Sequence, residues 1–288
     1  MEARSPILVG LDPDPAKRTA VGWAAAEAQE TGAPLLLLHT WNMISQPTLD
    51  ATVIAGLRDA GQRVVDAAVD FVASAHPGVR VQAVLVEDDP AWALRDHAEN
   101  ARMVVVSTRA PDAAGMGLRT SPVVMPVLAH VRCPVVVVRE NAPPAVSPPF
   151  FVVGVDGSKT SRHALEAAFR LASSRGAELR AVVARRSSRF GPVSERVARR
   201  QAQRLLHGEV AAYASRQPNV VVRERVVQGH PVEALSWEAV GALGVVVGTR
   251  GRGGFAGMLL GSVSQGVLQH ARCPVVVVPP AGRDSSPA

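Results

Sequence analysis

Val245-Val246-Val247-Gly248-Thr249-Arg250-Gly251, nine further residues, and then Gly261-Ser262 form a strand, a glycine-studded loop and the start of a helix. A loop of this kind presents unblocked backbone N–H groups and the positive end of a helix dipole, which together favour a phosphate. Glycine suits it because it adopts positive φ and, lacking a Cβ, lets an oxyanion approach the backbone. The spacing is neither a Walker loop nor a dinucleotide fingerprint: it holds no Gly-Lys-Ser/Thr and no Gly-x-Gly-x-x-Gly. Taken alone, the stretch reads equally as a nucleotide site or as a ligand-free βα turn.

The rest of the chain is written twice. Val9-Gly10-Leu11-Asp12 recurs as Val153-Gly154-Val155-Asp156, and Val104-Val105-Val106-Ser107-Thr108-Arg109 as Val245-Val246-Val247-Gly248-Thr249-Arg250. His130-Val131-Arg132-Cys133-Pro134-Val135-Val136-Val137-Val138 recurs as His270-Ala271-Arg272-Cys273-Pro274-Val275-Val276-Val277-Val278 with a single mismatch. This is a tandem duplication of one domain of roughly 140 residues. The domains are expected at 1–140 and 150–280. Residues 141–149 form a Pro-rich linker and 281–288 a frayed tail.

Composition bounds the class. The 288 residues are 47% hydrophobic but only 4% aromatic, so two cores built from Val, Leu and Ala are expected. Continuous apolar strands of that kind suit parallel sheets covered on both faces. No apolar run approaches the ~18 residues of a membrane span, and the charged, short Met1 to Pro6 does not open a signal peptide, so a cytoplasmic protein is expected. Cys133 and Cys273 hold equivalent places before a Pro and a Val run, the setting of small buried hydrophobes; no His or Cys stands at ligand spacing from either.

Charge separates the halves more than pattern does. Through Ala145 the chain holds 12 Lys and Arg against 16 Asp and Glu, net −4; the remainder holds 19 against 9, net +10. Much of the excess lies in Arg185, Arg186, Arg189, Arg196, Arg199, Arg200 and Arg204. Such a run attracts polyanions or is a solvated helix face. No aromatics interleave it, and nucleic acid is the disfavoured reading.

In the second half, strands are expected at Phe151 to Val155, Leu179 to Ala184, Val220 to Val227, Val245 to Val247 and Val275 to Val278. Helices are expected at Ser161 to Arg175, Ser194 to Arg216, Pro231 to Val240 and Ser262 to Ala271. Ala164, Leu165, Ala168, Leu171 and Ala172 recur at three- and four-residue intervals, one buried helical face. Strand, helix, strand repeated means right-handed crossovers and an open parallel sheet, whose ligands bind outside the carboxyl ends of the strands. Asp156 and Gly248 fall on that edge. A carboxylate there serves a ribose or a phosphate-bound metal, or else caps the following helix together with Ser158 and Ser161.

The Gly-x2-Gly-x9-Gly-Ser loop, the Val-Gly-Val-Asp-Gly-Ser opening at 153–158 and the His-Ala-Arg-Cys-Pro-Val-Val-Val-Val ending together resemble the universal stress protein family, over nearly the whole chain as two copies. The resemblance implies two tandem Rossmann-like open parallel five-stranded sheets of order 3-2-1-4-5, flanked by helices and packed as a pseudo-dimer through the final strands. It also implies ATP, with Mg²⁺, as ligand where the glycine loop is kept. By match to the family motif, Asp156 faces the sugar and the backbone at Ala184 meets adenine. Gly248, Gly251, Gly261, Ser262 and Val263 surround the triphosphate and ribose, and Arg252 lies in the loop among them.

The first half departs from this pattern. Ser107 stands for Gly248, Ala110 for Gly251, Ser121 for Gly261 and Pro122 for Ser262. Proline suits a first helical turn but removes an N–H that would face phosphate. Asp12-Pro13-Asp14-Pro15 also lacks the Gly-Ser that follows Asp156, while Asp12 and Thr40 remain compatible with a nucleoside.

Phosphoryl transfer requires positioned cations and a group that orients the attacking water. The loop supplies Arg250 and Arg252 but no Gly-Lys-Ser/Thr and no carboxylate. The favoured reading is a nucleotide-binding regulatory protein of the stress response, with an unidentified protein partner and any ATP hydrolysis slow. The alternatives are an ATPase or nucleotidyl transferase, turning over at ~1–10² s⁻¹, and a ligand-independent module docking through its basic half.

Overall fold

The computed structural model describes residues 5–14, 17–41, 50–108, 122–140, 142–186, 191–251 and 259–280. The chain divides into two compact units, Met1–Asn141 and Ala142–Ala288. The first runs β1 (Ile7–Gly10), α1 (Thr19–Thr31), β2 (Leu35–Trp41), α2 (Ala51–Ala75), β3 (Val81–Glu87), α3 (Pro90–His97), β4 (Met103–Thr108), α4 (Val124–His130) and β5 (Val135–Arg139). Its strands pair in parallel in the order β3-β2-β1-β4-β5. The second runs β6 (Phe150–Gly154), α5 (Lys159–Ser174), β7 (Glu178–Arg185), α6 (Gly191–Ala214), β8 (Val222–Gln228), α7 (Pro231–Glu238), β9 (Gly244–Gly248), α8 (Ser262–His270) and β10 (Val275–Val278). These strands too are parallel, in the order β8-β7-β6-β9-β10.

The central strands are apolar along their length because helices cover both faces. Ile7, Leu8, Val9, Val104 and Val105 are wholly buried in one unit, and Val152, Val153, Val245 and Val246 in the other. On α5 the repeating face Ala164, Leu165, Ala168, Leu171 and Ala172 is buried against the sheet. The helix starts two residues before the expected Ser161 because Ser158 is its N-cap, its Oγ accepting the Ser161 N–H at 3.2 Å. Among the described residues no helix is long and apolar enough to cross a membrane.

Three findings correct the composition-based picture. The second core is not built from Val, Leu and Ala alone: Phe150, Phe151 and Phe169 are among the largest fully buried side chains. Gly244 makes room for one of them, since a Cβ there would lie 3.3 Å from the Phe151 ring. Cys273 is buried as expected, but Cys133 is only half-buried, with partial burial pushing its thiol up to about 11. In the Pro-rich segment, the Val146 N–H donates to the Gly241 carbonyl at 2.9 Å, and its side chain lies where a Cβ on Gly241 would stand. Gly241 holds φ of 76°, so glycine is required at that turn on two counts.

His39 in β2 is a buried titratable group, its Nδ1 3.4 Å from the Leu11 carbonyl. Desolvation lowers its pKa below the ordinary 6.5, against smaller opposing effects of that carbonyl and of Asp12. The folded ring therefore stays neutral where the unfolded ring is already protonated. Below the unfolded pKa the unfolded state binds more protons, and stability falls as pH falls. The urea midpoint is expected to drop between about pH 7.5 and about pH 6, and to drop less in His39→Gln. Equal drops in the two proteins would assign the dependence to other groups.

Candidate functional site

Strand register sets the geometry at the carboxyl edge of the second sheet. Gly154 pairs with Val182 of β7 and Val153 with Val246 of β9. Asp156, two residues past the end of β6, is thus level with Ala184, and Gly248 closes the strand on the other side. The chain leaves β6 for β7 on one flank and reaches β9 on the other, which makes this the switch point of the sheet, where open α/β sheets leave a crevice.

Asp156 opens a turn closed by hydroxyls and amides. Its Oδ1 accepts the Ser158 N–H at 2.9 Å, and the Gly157 N–H donates to Ser161 Oγ at 3.2 Å. Gly157 holds φ of 77°. The capping role is therefore divided: Ser158 caps α5, and Asp156 fixes the turn before it. The second carboxylate oxygen of Asp156 lies over Gly251, where a Cβ would stand 2.6 Å from it. The Asp156 carboxylate and Gly251, 95 positions apart in sequence, are in this way brought together.

The three loop glycines do different work. A Cβ on Gly248 would stand 2.8 Å from the Thr160 carbonyl oxygen and 2.9 Å from Thr160 Cβ. Glycine is required there because the first turn of α5 lies on the end of β9, a packing reason that the sequence did not reveal. Gly251 leaves room for the Asp156 carboxylate. At Gly261 a Cβ would make only ordinary contacts, 3.5 Å from Arg250 Cα and from the Thr249 carbonyl oxygen. Gly261 is the N-cap of α8, and its N–H donates to the Thr249 carbonyl at 2.7 Å. Ser264 Oγ ties the same corner to the Thr249 and Gly261 carbonyls, both at 2.9 Å.

The cap of α8 is a glycine, so no cap side chain accepts the first-turn N–H groups of the helix. Side-chain oxygens cap α2 through Asp50, α3 through Asp89 and α5 through Ser158, whereas α1, α4 and α7, like α8, start without a side-chain cap. Asp156, Gly248, Gly251, Gly261, Ser262 and Val263 gather at this corner, and Ala184 flanks it on β7. Arg252 lies outside the described residues.

The first unit builds the same turn and fills it differently. The Asp14 N–H donates to Asp12 Oδ1 at 2.9 Å, as Ser158 does to Asp156. Lys17 Nζ, however, lies 3.3 Å from Asp12 and 3.9 Å from Asp14, so an internal ammonium neutralises the carboxylates. Pro122 does not open a helix as expected: α4 begins at Val124, two residues later. Ala110 and Ser121 lie outside the described residues.

The basic run of the second half is also partly rewritten. Arg185 forms a two-pronged pair with Glu195, which raises the guanidinium pKa and removes it from the exposed set. Arg186, Arg196, Arg199, Arg200 and Arg204 are exposed, and Arg189 lies outside the described residues.

The model of the Universal stress protein family matches residues 4–139 and 151–279. The chain belongs to the universal stress protein family. A universal stress protein of Mycobacterium tuberculosis is 34% identical over 290 residues, covering 94% of this chain and 95% of its own. One from Mycolicibacterium smegmatis is 36% identical over 287 residues, covering 95% and 97%. The fold is shared with a universal stress protein from Archaeoglobus fulgidus, at a TM-score of 0.70 and 18% identity over 95% of this chain and 96% of that one. This universal stress protein thus carries two family domains whose carboxyl edges differ in residue and in charge.

Two features of the edge escaped the sequence. Lys17, five residues after Asp12, gave a signal in its charge and proximity. The hydroxyl of Thr160, which donates to the Arg250 carbonyl, gave none, since a Thr at the start of a helix is unremarkable without knowledge of what crosses it. The packing at Gly248 predicts that Gly248→Ala destabilises the universal stress protein by roughly 1–3 kcal/mol through overpacking. Gly261→Ala should stay within about 1 kcal/mol. Urea unfolding of the two variants checks this, and equal midpoints would remove the packing role from Gly248.

Proposed function

We propose that the protein is an ATP-binding regulatory protein that holds one nucleotide per chain, in the second domain. One observation carries this reading: α8 opens without a side-chain cap beside a loop glycine that packs on the Asp156 carboxylate. The first-turn N–H groups of Ser262 and Val263 and the helix dipole suit phosphate oxygens. Asp156 stands on the sugar side of that corner, and the Ala184 backbone lies one strand further on, for adenine. Mg²⁺ belongs to the proposal as the ion that accompanies the triphosphate, and Arg252 as a further cation of the loop.

The same comparison argues against a second nucleotide in the first domain. There Lys17 already occupies the Asp12 carboxylate, and Pro122 offers no N–H ahead of α4. For a dedicated ATPase or nucleotidyl transferase, the described edge offers Arg250 as a cation but no second carboxylate near Asp156 to orient water. The reading as an interaction module draws on one observation, the exposed arginines of α6. It is separated from nucleotide binding by assaying the supernatant of heat-denatured protein for ATP.

Calorimetric titration of the full chain with Mg·ATP is expected to give a stoichiometry near one. Gly261→Glu should abolish the signal while circular dichroism is unchanged, because a carboxylate set against phosphates costs several kcal/mol, whereas the backbone at 261 has room for a Cβ. Two equivalent sites would overturn the distinction between the domains. Undiminished binding by Gly261→Glu would remove the loop from the site.

A further inference from the structure

We infer that Thr160 is a specificity-determining positioning residue, through which the second domain distinguishes a phosphorylated nucleotide from the bare nucleoside. The inference rests on the ATP-site reading above and concerns a residue outside the motif that suggested it. Thr160 is the second residue of α5 and is buried at 8% exposure. Its hydroxyl donates to the carbonyl of Arg250, ninety residues away, and lies 3.2 Å from Ser158 Oγ. Its carbonyl oxygen and Cβ fill the space that the absent side chain of Gly248 leaves. One residue thus holds the glycine loop at two points, the end of β9 and the carbonyl two residues beyond.

What this does to the loop follows from the planarity of the peptide bond. In a trans peptide the C=O of one residue and the N–H of the next lie in one plane and point in opposite directions. Drawing the Arg250 carbonyl onto Thr160 therefore turns the Gly251 N–H away from α5. That N–H sits beside the N-cap of α8: Gly251 N is 3.7 Å from where a Cβ on Gly261 would be. Gly251 accordingly joins Ser262 and Val263 in one cluster of backbone donors, and the Thr160 hydroxyl sets the direction of the first of them. Without it, the peptide between Arg250 and Gly251 is free to rotate, and phosphate loses an oriented donor while the nucleoside subsite at Asp156 and Ala184 does not. In sequence, at the offset of 144 that relates Asp12 to Asp156, Ala16 aligns with Thr160 and carries no hydroxyl.

The test is a comparison of ligands on the full chain. Thr160→Val keeps the branched shape over Gly248 and removes the hydroxyl. It is expected to weaken Mg·ATP binding about ten-fold, the effect of one hydrogen bond to a charged group, and to leave adenosine binding within about two-fold. Thr160→Ser should restore ATP affinity. Adenosine binding and the urea midpoint control for the fold. If Thr160→Val does not fold, Thr160→Ala replaces it, with the same split expected. Wild-type protein that takes up no ATP overturns the site reading and this inference with it. ATP bound equally by wild type and Thr160→Val, or ATP and adenosine weakened together, overturns the inference alone and leaves the site in place.

Discussion

The carboxyl edge of the second sheet depends on how closely the first turn of α5 lies on the end of β9. That approach exists because residue 248 has no Cβ, with Thr160 occupying the space. Once α5 is seated there, the other relations of the edge follow. Ser158 is placed to cap the helix, Asp156 is turned toward Gly251, and the Arg250 carbonyl falls within reach of a hydroxyl. A single helix–strand contact thereby fixes Arg250 and Gly251, the residues that follow the end of β9. Pre-organisation of this sort lowers the entropy that a ligand must remove on binding.

The two domains keep one scaffold and differ at the corresponding carboxyl edge. Both retain the buried parallel strands, the His-x-Arg-Cys-Pro turn and the acidic residue after the first strand. What differs is how that acidic residue is satisfied. Asp156 and Asp12 each accept a backbone N–H; Asp156 also lies against Gly251, and Asp12 also pairs with the ammonium of Lys17. The Lys17 ammonium at 3.3 Å satisfies the Asp12 carboxylate from within the chain.

The imbalance of net charge bears on approach more than on binding. Exposed charges separated by more than about 8–10 Å are screened at physiological ionic strength. Under the proposed function, the arginines of α6 act on the encounter rate of the anion, while affinity rests on donors within hydrogen-bonding distance. The pairing of Arg185 with Glu195 shows that net charge overstates what the surface offers.

Much of the architecture was legible in the chain because its signals are local. Four- to eight-residue apolar runs, the three- and four-residue spacing on α5 and the repeat at a nearly constant offset each depend on near neighbours. They specified the elements, the parallel sheets and the position of the glycine loop at a strand end. What the tertiary structure decided are contacts between distant segments: Thr160 with Gly248 and Arg250, Asp156 with Gly251, and the phenylalanines of the second core with the space beside Gly244. Glycine is the same letter at 248, 251 and 261, yet it admits a helix at the first, a carboxylate at the second and a bare helix cap at the third. Which of these it does is fixed by the crossover geometry that carries α5 over the sheet, and that geometry is a property of the packed fold, not of any window of sequence.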